Sequence, residues 1–524
     1  MRFLSTALSA WLLVAPGTLD AQAPDASSPE NSPAAQPVDE ESSDELAESD
    51  EESSDEFAES DEEYVDELDG ELEEAVAAGP AADSPEPSPS VSDAATETAA
   101  FEEGPAAVSR PSPEEADPST DALSSTEAAG PQFSLGGELR ARGEGRYRPY
   151  RSTGLDDGEY RFESRLRISV GASYGPARVF LQLQDARSFG GLAGGVTSFH
   201  QGYVEFGDEA QFIRAGRQEI NLGGQRMIGA LNWANAARSF DAIRGHVQLG
   251  GVALDGFASM IRPPETMMVQ QTIDGMPEEI EVESDGDYLA GAYLVAPLSE
   301  DMSLDGYVLY RHDSATATAP ERSRDIVAVG TRVHGSAGPL RLDVEGIVQS
   351  GDSNGSSHLA FGGAADVGYA LDIALPTTVT AGIAYGSGDS GGDVDEFENF
   401  FPTNHKFYGV LDLFGLRNMV NAQGIVALAP SGVPLSLRFL FHQFWLAEKS
   451  GRWSDAPGRT LGQSDTLSSA ALGSEIDTVI TYKPLEGLSF QLGGGVFVPQ
   501  AGARQLGFDE PQVYVYLMSG YRLR

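Results

Sequence analysis

From Phe133 onward, apolar and polar side chains alternate residue by residue, in segments of about ten residues separated by clusters of Gly, Pro, Asp and Ser. In the first segment Phe133, Leu135, Gly137, Leu139 and Ala141 share one parity, and Glu138, Arg140, Arg142, Glu144 and Arg146 share the other. The next sets Phe162, Leu166, Ile168 and Val170 against Arg161, Glu163, Arg165 and Arg167. Further on, Leu340, Leu342, Val344 and Val348 oppose Arg341, Asp343, Glu345 and Gln349, and Leu488, Phe490, Leu492 and Val496 oppose Ser489 and Gln491. Successive side chains of a strand point to opposite faces, so each segment predicts a strand with one oily face and one polar face. A soluble sandwich also alternates, but its strands are nearer ~5 or 6 residues and turn their polar face outward. Strands of about ten residues suit a transmembrane barrel, with the oily face toward lipid and the charged face toward a watery lumen.

The breaks between segments support this. Short links at Tyr174 to Ala177, Gly207 to Ala210, Ser336 to Pro339 and Pro484 to Gly487 alternate with long ones at Pro149 to Glu159, Arg262 to Gly286, Gly386 to Leu416 and Ala447 to Gly473. Short turns on one rim and long loops on the other are the asymmetry of an outer-membrane barrel. The segments between them predict an all-β, antiparallel transmembrane barrel of about 18 strands over residues 131–524, with His405 to Leu413 readable as loop or strand.

The chain before the barrel has a different composition. Met1-Arg2, the apolar run Phe3 to Pro16 and the small residues near Ala21 and Ala23 read as a secretory signal over residues 1–23; the run is too short to span a bilayer as a helix. Residues 24–130 hold 34 acidic side chains and one base, Arg110, and repeat ESSDELAESDE as ESSDEFAESDE from Glu41 to Glu62. Such a segment buries too little apolar surface to offset its ordering entropy, and we expect a disordered acidic arm in the periplasm. A solvated tail is the simple account; an arm that repels anions, binds cations or docks a basic periplasmic partner is the functional one. The arm supplies most of the net charge of −48, which therefore says little about the barrel. The absence of cysteine excludes disulfides, zinc-thiolate sites and an N-terminal lipid anchor.

Within the barrel the bases are almost all arginine, with Lys406, Lys449 and Lys483 the three lysines. Arginine stays charged and offers a planar fork to carboxylate, sulfate or phosphate. Alternation assigns Arg140, Arg142, Arg161, Arg165, Arg167, Arg244, Arg332, Arg341 and Arg438 to the lumen. Two readings stand: a ladder of weak anion sites, or a structural network with Glu138, Glu144, Glu163, Asp185, Glu205, Asp343 and Glu345.

Three segments resemble the bacterial alginate-export family of outer-membrane barrels: GRQEINLGGQRMIGALNWANAARSFDAIRG from Gly216 to Gly245; YGSGDS from Tyr385 with FFPTNHKFYGVLDLFGLRN from Phe400 to Asn418; and LQLQDAR from Leu181 to Arg187. The resemblance implies an 18-stranded barrel with a positive constriction that conducts a polyuronate. In its first motif Arg217, Gln225, Arg226, Trp233, Arg238, Phe240 and Asp241 match, which adds Arg217, Arg226 and Arg238 to the substrate-path candidates, beside Asp185 and Glu205. The ending Tyr521-Arg522-Leu523-Arg524 and the many lumen acids depart from that pattern.

The remaining chemistry is sparse. Asp389, Asp393 and Asp395 have oxygen ligands for Ca²⁺ but not the spacing of a calcium loop, so a solvated loop is expected. Tyr514 and Tyr516, with Trp233, are candidates for stacking on sugar rings or for an interfacial girdle. Seven histidines show no paired-ligand spacing, and His405 in PTNHK is the one candidate for a barrel hydrolase. The chain reads as a non-enzyme without cofactor, metal or nucleic-acid partner: an outer-membrane channel of a Gram-negative bacterium, in contact with lipid, passing an anionic polysaccharide. The alternatives are a general or phosphate-type anion-selective porin for small solutes, and a hydrolase embedded in a barrel.

Overall fold

The computed structural model describes residues 130–147, 158–190, 193–273, 276–316, 319, 322–389, 391–392 and 394–523; the expected signal and acidic arm lie outside the described residues. The first half of the barrel contains strands β1 (Gln132–Tyr147), β2 (Gly158–Tyr174), β3 (Ala177–Phe189), β4 (Gly194–Asp208), β5 (Gln211–Gln218), β6 (Phe240–Leu249), β7 (Val252–Arg262), β8 (Asp287–Pro297) and β9 (Met302–Asp313). The second half contains β10 (Arg324–Ala337), β11 (Leu340–Ser353), β12 (Ser356–Leu371), β13 (Thr377–Gly386), β14 (Met419–Leu428), β15 (Leu435–Leu446), β16 (Ala471–Leu485), β17 (Leu488–Pro499) and β18 (Gln512–Leu523). Each pairs antiparallel with its neighbours in sequence, and β1 pairs with β18 to close an 18-stranded barrel without an edge.

The parity read from the sequence holds in the wall. Phe133, Leu135, Tyr160, Ile213 and Leu517 are exposed on the outer surface, whereas Arg140, Arg142, Arg165 and Arg167 are buried on the inner one. The β1/β2 register sets Arg140 beside Arg165 and Arg142 beside Glu163. An outer surface this apolar belongs in lipid, because water gives it no compensating hydrogen bonds.

All four expected tight turns are present, on the rim that also carries both ends of the barrel. Gly487, in the two-residue β16–β17 turn with Glu486, has φ +76°, and a Cβ there would run into the Arg522 carbonyl of the neighbouring β18. The opposite rim carries the long connections, with two departures from expectation. Residues 262–286 include a hairpin, Glu265–Ile273 with Met276–Ser284, and β11 and β12 are joined by Asn354 and Gly355 alone. His405 to Leu413 is loop, with one 3-10 turn at Asn404–Lys406.

That last loop, one of the two readings the sequence allowed, positions the site. The β13–β14 connection, residues 387–418, folds into the lumen and buries Phe397, Phe400, Phe407, Tyr408, Val410 and Phe414 there. It meets the β5–β6 connection, residues 219–239, through a parallel bridge between Ile228 and Phe401, with Gly229 N donating to Phe401 O and Phe401 N to Met227 O, both at 2.9 Å. The barrel thus holds a hydrophobic core built from two inward loops, and it explains why the second segment looked strand-like: its apolar residues are buried, but against another loop.

Candidate lumen constriction and anion vestibule

The β5–β6 loop is strapped to the wall by the arginines of the first strands. Arg140 donates to the carbonyl of Asn232 at 2.7 Å and that of Ala234 at 3.1 Å. Arg142 donates to Trp233 O at 2.7 Å while pairing with Glu144 and Glu163, each at 2.6 Å. Arg165 reaches Glu138 at 2.6 Å and Asn232 O at 3.2 Å, and Arg167 reaches Gln184 at 2.7 Å and Asn232 Oδ1 at 3.1 Å. Gln225, Leu231 and Ala237 in this loop carry positive φ without being glycine, a strained path that only dense anchoring sustains. The expected ladder is therefore, in these four residues, a clamp made of charge-assisted bonds.

A second set of contacts joins the two loops. Arg226 is buried between Asp366 at 3.1 Å, Glu345 at 3.5 Å and the Tyr408 hydroxyl at 3.2 Å, and lies over the Phe407 ring. The His405 ring stacks on Trp233 at 3.8 Å, Arg142 covers the Trp233 ring at 4.0 Å, and Tyr516 meets Trp233 edge-on at 4.9 Å. His405 Nδ1 lies 2.8 Å from Asp412 Oδ1, and Arg146 donates to Leu411 O at 2.9 Å. Burial raises the Asp412 pKa, but His405, Arg146 and Arg142 outweigh it and hold the carboxyl below its usual range. His405, Trp233 and Tyr516 are thus engaged with one another at a loop junction, and Tyr514 beneath Arg146 faces inward as its parity required.

Above this junction, toward the long-loop rim, lies an open cavity of about 520 Å³ lined by ten arginines and seven acidic residues of the inner face, Asp241 at its border pointing outward. The acids are shared. Asp287 serves Arg262 at 3.1 Å and Arg322 at 2.7 Å, and Asp313 serves Arg311 at 2.9 Å and Arg324 at 3.4 Å. Arg238 has carbonyl partners, Gly229 O at 3.0 Å and Pro402 O at 3.3 Å, and packs over Phe401. Burial first, and then the neighbouring Arg311, push its pKa down to about 10, the mark of a cation whose charge is under-compensated. Glu398 shows the converse: burial raises it, but Arg417, Arg324 and Arg311 dominate and keep it well below the usual carboxylate range. Asp389 and Asp395 are engaged in local bonds to Gly391 N and Leu359 N, and Asp393 lies outside the described residues.

The other candidates divide. Arg161 faces inward and reaches Glu159 at 2.9 Å; Arg244 pairs with Asp255 at 2.7 Å; Arg332 is buried between Asp343 at 2.7 Å and Asp305 at 3.2 Å; Glu205 faces inward to Arg214 Nε at 2.7 Å. Arg341 is exposed near the short-turn rim and Arg438 is half-buried on the inner face. Two assignments are corrected. Asp185 shares the outward parity of Leu181 and Leu183 and pairs with Arg187 on the outer wall, and Arg217 shares that of Ile213 and Ala215 and pairs with Asp241 there. The candidate set left out Arg146, although its parity was the polar one, and Arg262, Arg311, Arg322, Arg324, Arg417 and Arg459. Arg311 was within reach, since it shares parity with Tyr307 and Leu309, but that inner face packs on the loops and is as apolar as the outer one.

Comparison with known proteins bears on the barrel fold and the family. The solved structures include, from Pseudomonas aeruginosa, OccK5 (OpdH), 11% identical with a TM-score of 0.50 over 74% of this chain and 98% of that one, and OccK11 (OpdR), 15% identical with a TM-score of 0.49 over 74% and 96%. OpdK with vanillate, from the same organism, is 12% identical with a TM-score of 0.49 over 74% and 98%. The first of these supports the barrel fold; none of the identities reaches further. A search of curated protein sequences found no match. A profile of the family described as Alginate export matches residues 132–505, nearly the whole barrel, and the chain belongs to that family of outer-membrane channels.

Proposed function

We propose that this channel conducts an anionic polysaccharide of the polyuronate type, received from the periplasm and released at the long-loop rim. The observation that carries the reading is the vestibule sector around Arg238 and Arg311, where arginines share too few carboxylates and one cation is held by carbonyls alone. A sugar carboxylate entering there gains a charge-assisted bond without displacing an existing acid, and neighbouring shared pairs offer it further weak stations. The strapped loop narrows the lumen, so a flexible chain is held to single file beside fixed guanidinium groups. In this reading residues 1–23 are the signal and residues 24–130 an acidic periplasmic arm, and no cofactor takes part.

A cavity of about 520 Å³ is also the size of a small-ligand site, which favours a second reading, a diffusion porin for small anions. Purified protein in a planar bilayer separates them. Anion-selective current blocked by oligomannuronate, and unaffected by neutral glucan of equal length, supports the polymer conduit. Free passage of small anions with no block by the oligomer moves the assignment to the porin.

A further inference from the structure

The outer wall is shortest at β5, a strand of eight residues, and beside it carries charge at a depth where lipid tails would surround it. The register of β5 with β4 ends at Arg217 opposite Gly202, so β4 runs on through Gly194 to Gln201 with no β5 beside it. A groove of about 530 Å³ opens at this notch, lined outward by Val179, Leu181, Phe199, Val204 and Ala215. At its edge Arg217 and Asp241 form a two-point ion pair, Nε to Oδ1 at 2.8 Å and Nη2 to Oδ2 at 2.6 Å. Arg217 stands six positions from Gln211, the start of its strand. At ~3.4 Å rise per residue and a tilt of ~40°, that is roughly 15 Å above the short-turn rim, inside an apolar band ~25 Å tall. Nearer the long-loop rim, Arg187 pairs with Asp185 at 2.7 Å and bonds Thr197, again on the outer face.

Acyl chains offer no partner to a strand edge or to an ion pair, and charge on the lipid face destabilises a barrel most near mid-depth. Another protein surface does offer partners. Because this sector displays both signs twice, Asp185 with Arg187 and Arg217 with Asp241, it is complementary to itself under a two-fold rotation. We infer that the β3–β6 sector is an interface between copies of this chain in the membrane. Phe199, exposed beside the groove, is the side chain placed to enter the partner's notch.

The absence of native cysteine allows a clean test in the full-length protein in native outer membranes. Phe199→Cys, labelled with a benzophenone maleimide and irradiated, is expected to give an adduct of twice the chain mass containing only this chain. Val348→Cys, exposed on β11, is expected to give none. Wild type in mild detergent is expected to scatter light as a multimer, and the Arg217→Leu, Asp241→Leu pair to lower adduct yield from Phe199→Cys several-fold. Heat-modifiable gel mobility identifies folded variants, and the Phe199→Cys readout does not depend on the leucine pair folding. A monomer mass without the doubled adduct, or an adduct only to lipid or to a different protein, overturns the inference.

Discussion

Arg142 divides its guanidinium among Glu144, Glu163 and the Trp233 carbonyl, and covers the Trp233 ring as well. Its removal strands the buried Glu144 and leaves Glu163 only its longer contacts to Arg161 at 3.7 Å and Ser188 at 3.5 Å, and breaking a buried pair in this way costs about 3–5 kcal/mol. Arg142→Met is therefore expected to lower the thermal midpoint of the barrel and, by unstrapping the loop, to give larger and noisier single-channel currents. A smaller current with unchanged stability would show that Arg142 serves the solute and not the loop. Arg238 is the contrasting case, since its loss removes bonds to two carbonyls at ~1 kcal/mol each and strands no acid. Arg238→Met should leave the midpoint nearly unchanged and shift the reversal potential away from anion selectivity. Asp412 adds a pH dependence. Its pKa is depressed in the fold, so its contribution is complete above the ordinary aspartate value of ~3.9 and is lost as pH falls through the lower folded value. Acidification through that window should loosen the His405 junction and raise conductance, and Asp412→Asn should abolish the step. A step of equal size in Asp412→Asn would place the titrating group elsewhere.

Among the elements, the β5–β6 loop is the one whose docking is contested. Beneath it Gln182 Oε1, Ser198 Oγ, both His200 ring nitrogens, Gln201 Nε2 and Gln218 Oε1 are buried without a hydrogen-bond partner. Each unmet group costs about 1–3 kcal/mol, so the straps of Arg140, Arg142, Arg165 and Arg167 hold the loop down over a layer that water would otherwise satisfy. His200→Leu should strengthen docking: a higher thermal midpoint and less time in the high-conductance state. A lower midpoint would mean that the His200 site is too polar or too tight for leucine. This element also marks where the sequence stopped being legible. Parity reached the wall because each strand's two faces are written locally; applied to Asp185 it would have set that residue with Leu181 and Leu183, but the assignment to the lumen followed charge type instead. The bulge that lets Gln201 and Phe199 take opposite faces around His200 left no local mark. Nor did the strap from Arg140 to Asn232, 92 positions away, because a loop path set by distant arginines has no periodicity of its own.

Across the whole molecule, a net charge of −48 coexists with an arginine-rich vestibule because the charges are segregated. The outer hairpin adds Glu279, Glu281 and Glu283 at the long-loop rim, while residues 24–130 carry 34 acids against one base and join the chain to β1, whose start lies at the short-turn rim. On the proposed reading, in which residues 24–130 form a periplasmic arm, an anionic polymer approaching from that side would meet the field of the arm before that of the lumen. At an ionic strength of 0.1 M charges act over ~10 Å, and at 1 M over ~3 Å, so any influence of the arm on entry must fade with salt. Deleting residues 24–130 should leave strand content and the thermal midpoint unchanged, because none of the described contacts needs them. At low salt it should raise several-fold the rate at which oligomannuronate blocks the channel from the arm's side, with the two proteins converging at 1 M salt. The dwell time of each block should not change, since dwell depends on the Arg238 and Arg311 sector and entry does not. If deletion instead lengthens the dwell, the arm reaches into the lumen and competes for the same arginines, and the vestibule is an occupied site that the polymer must first clear.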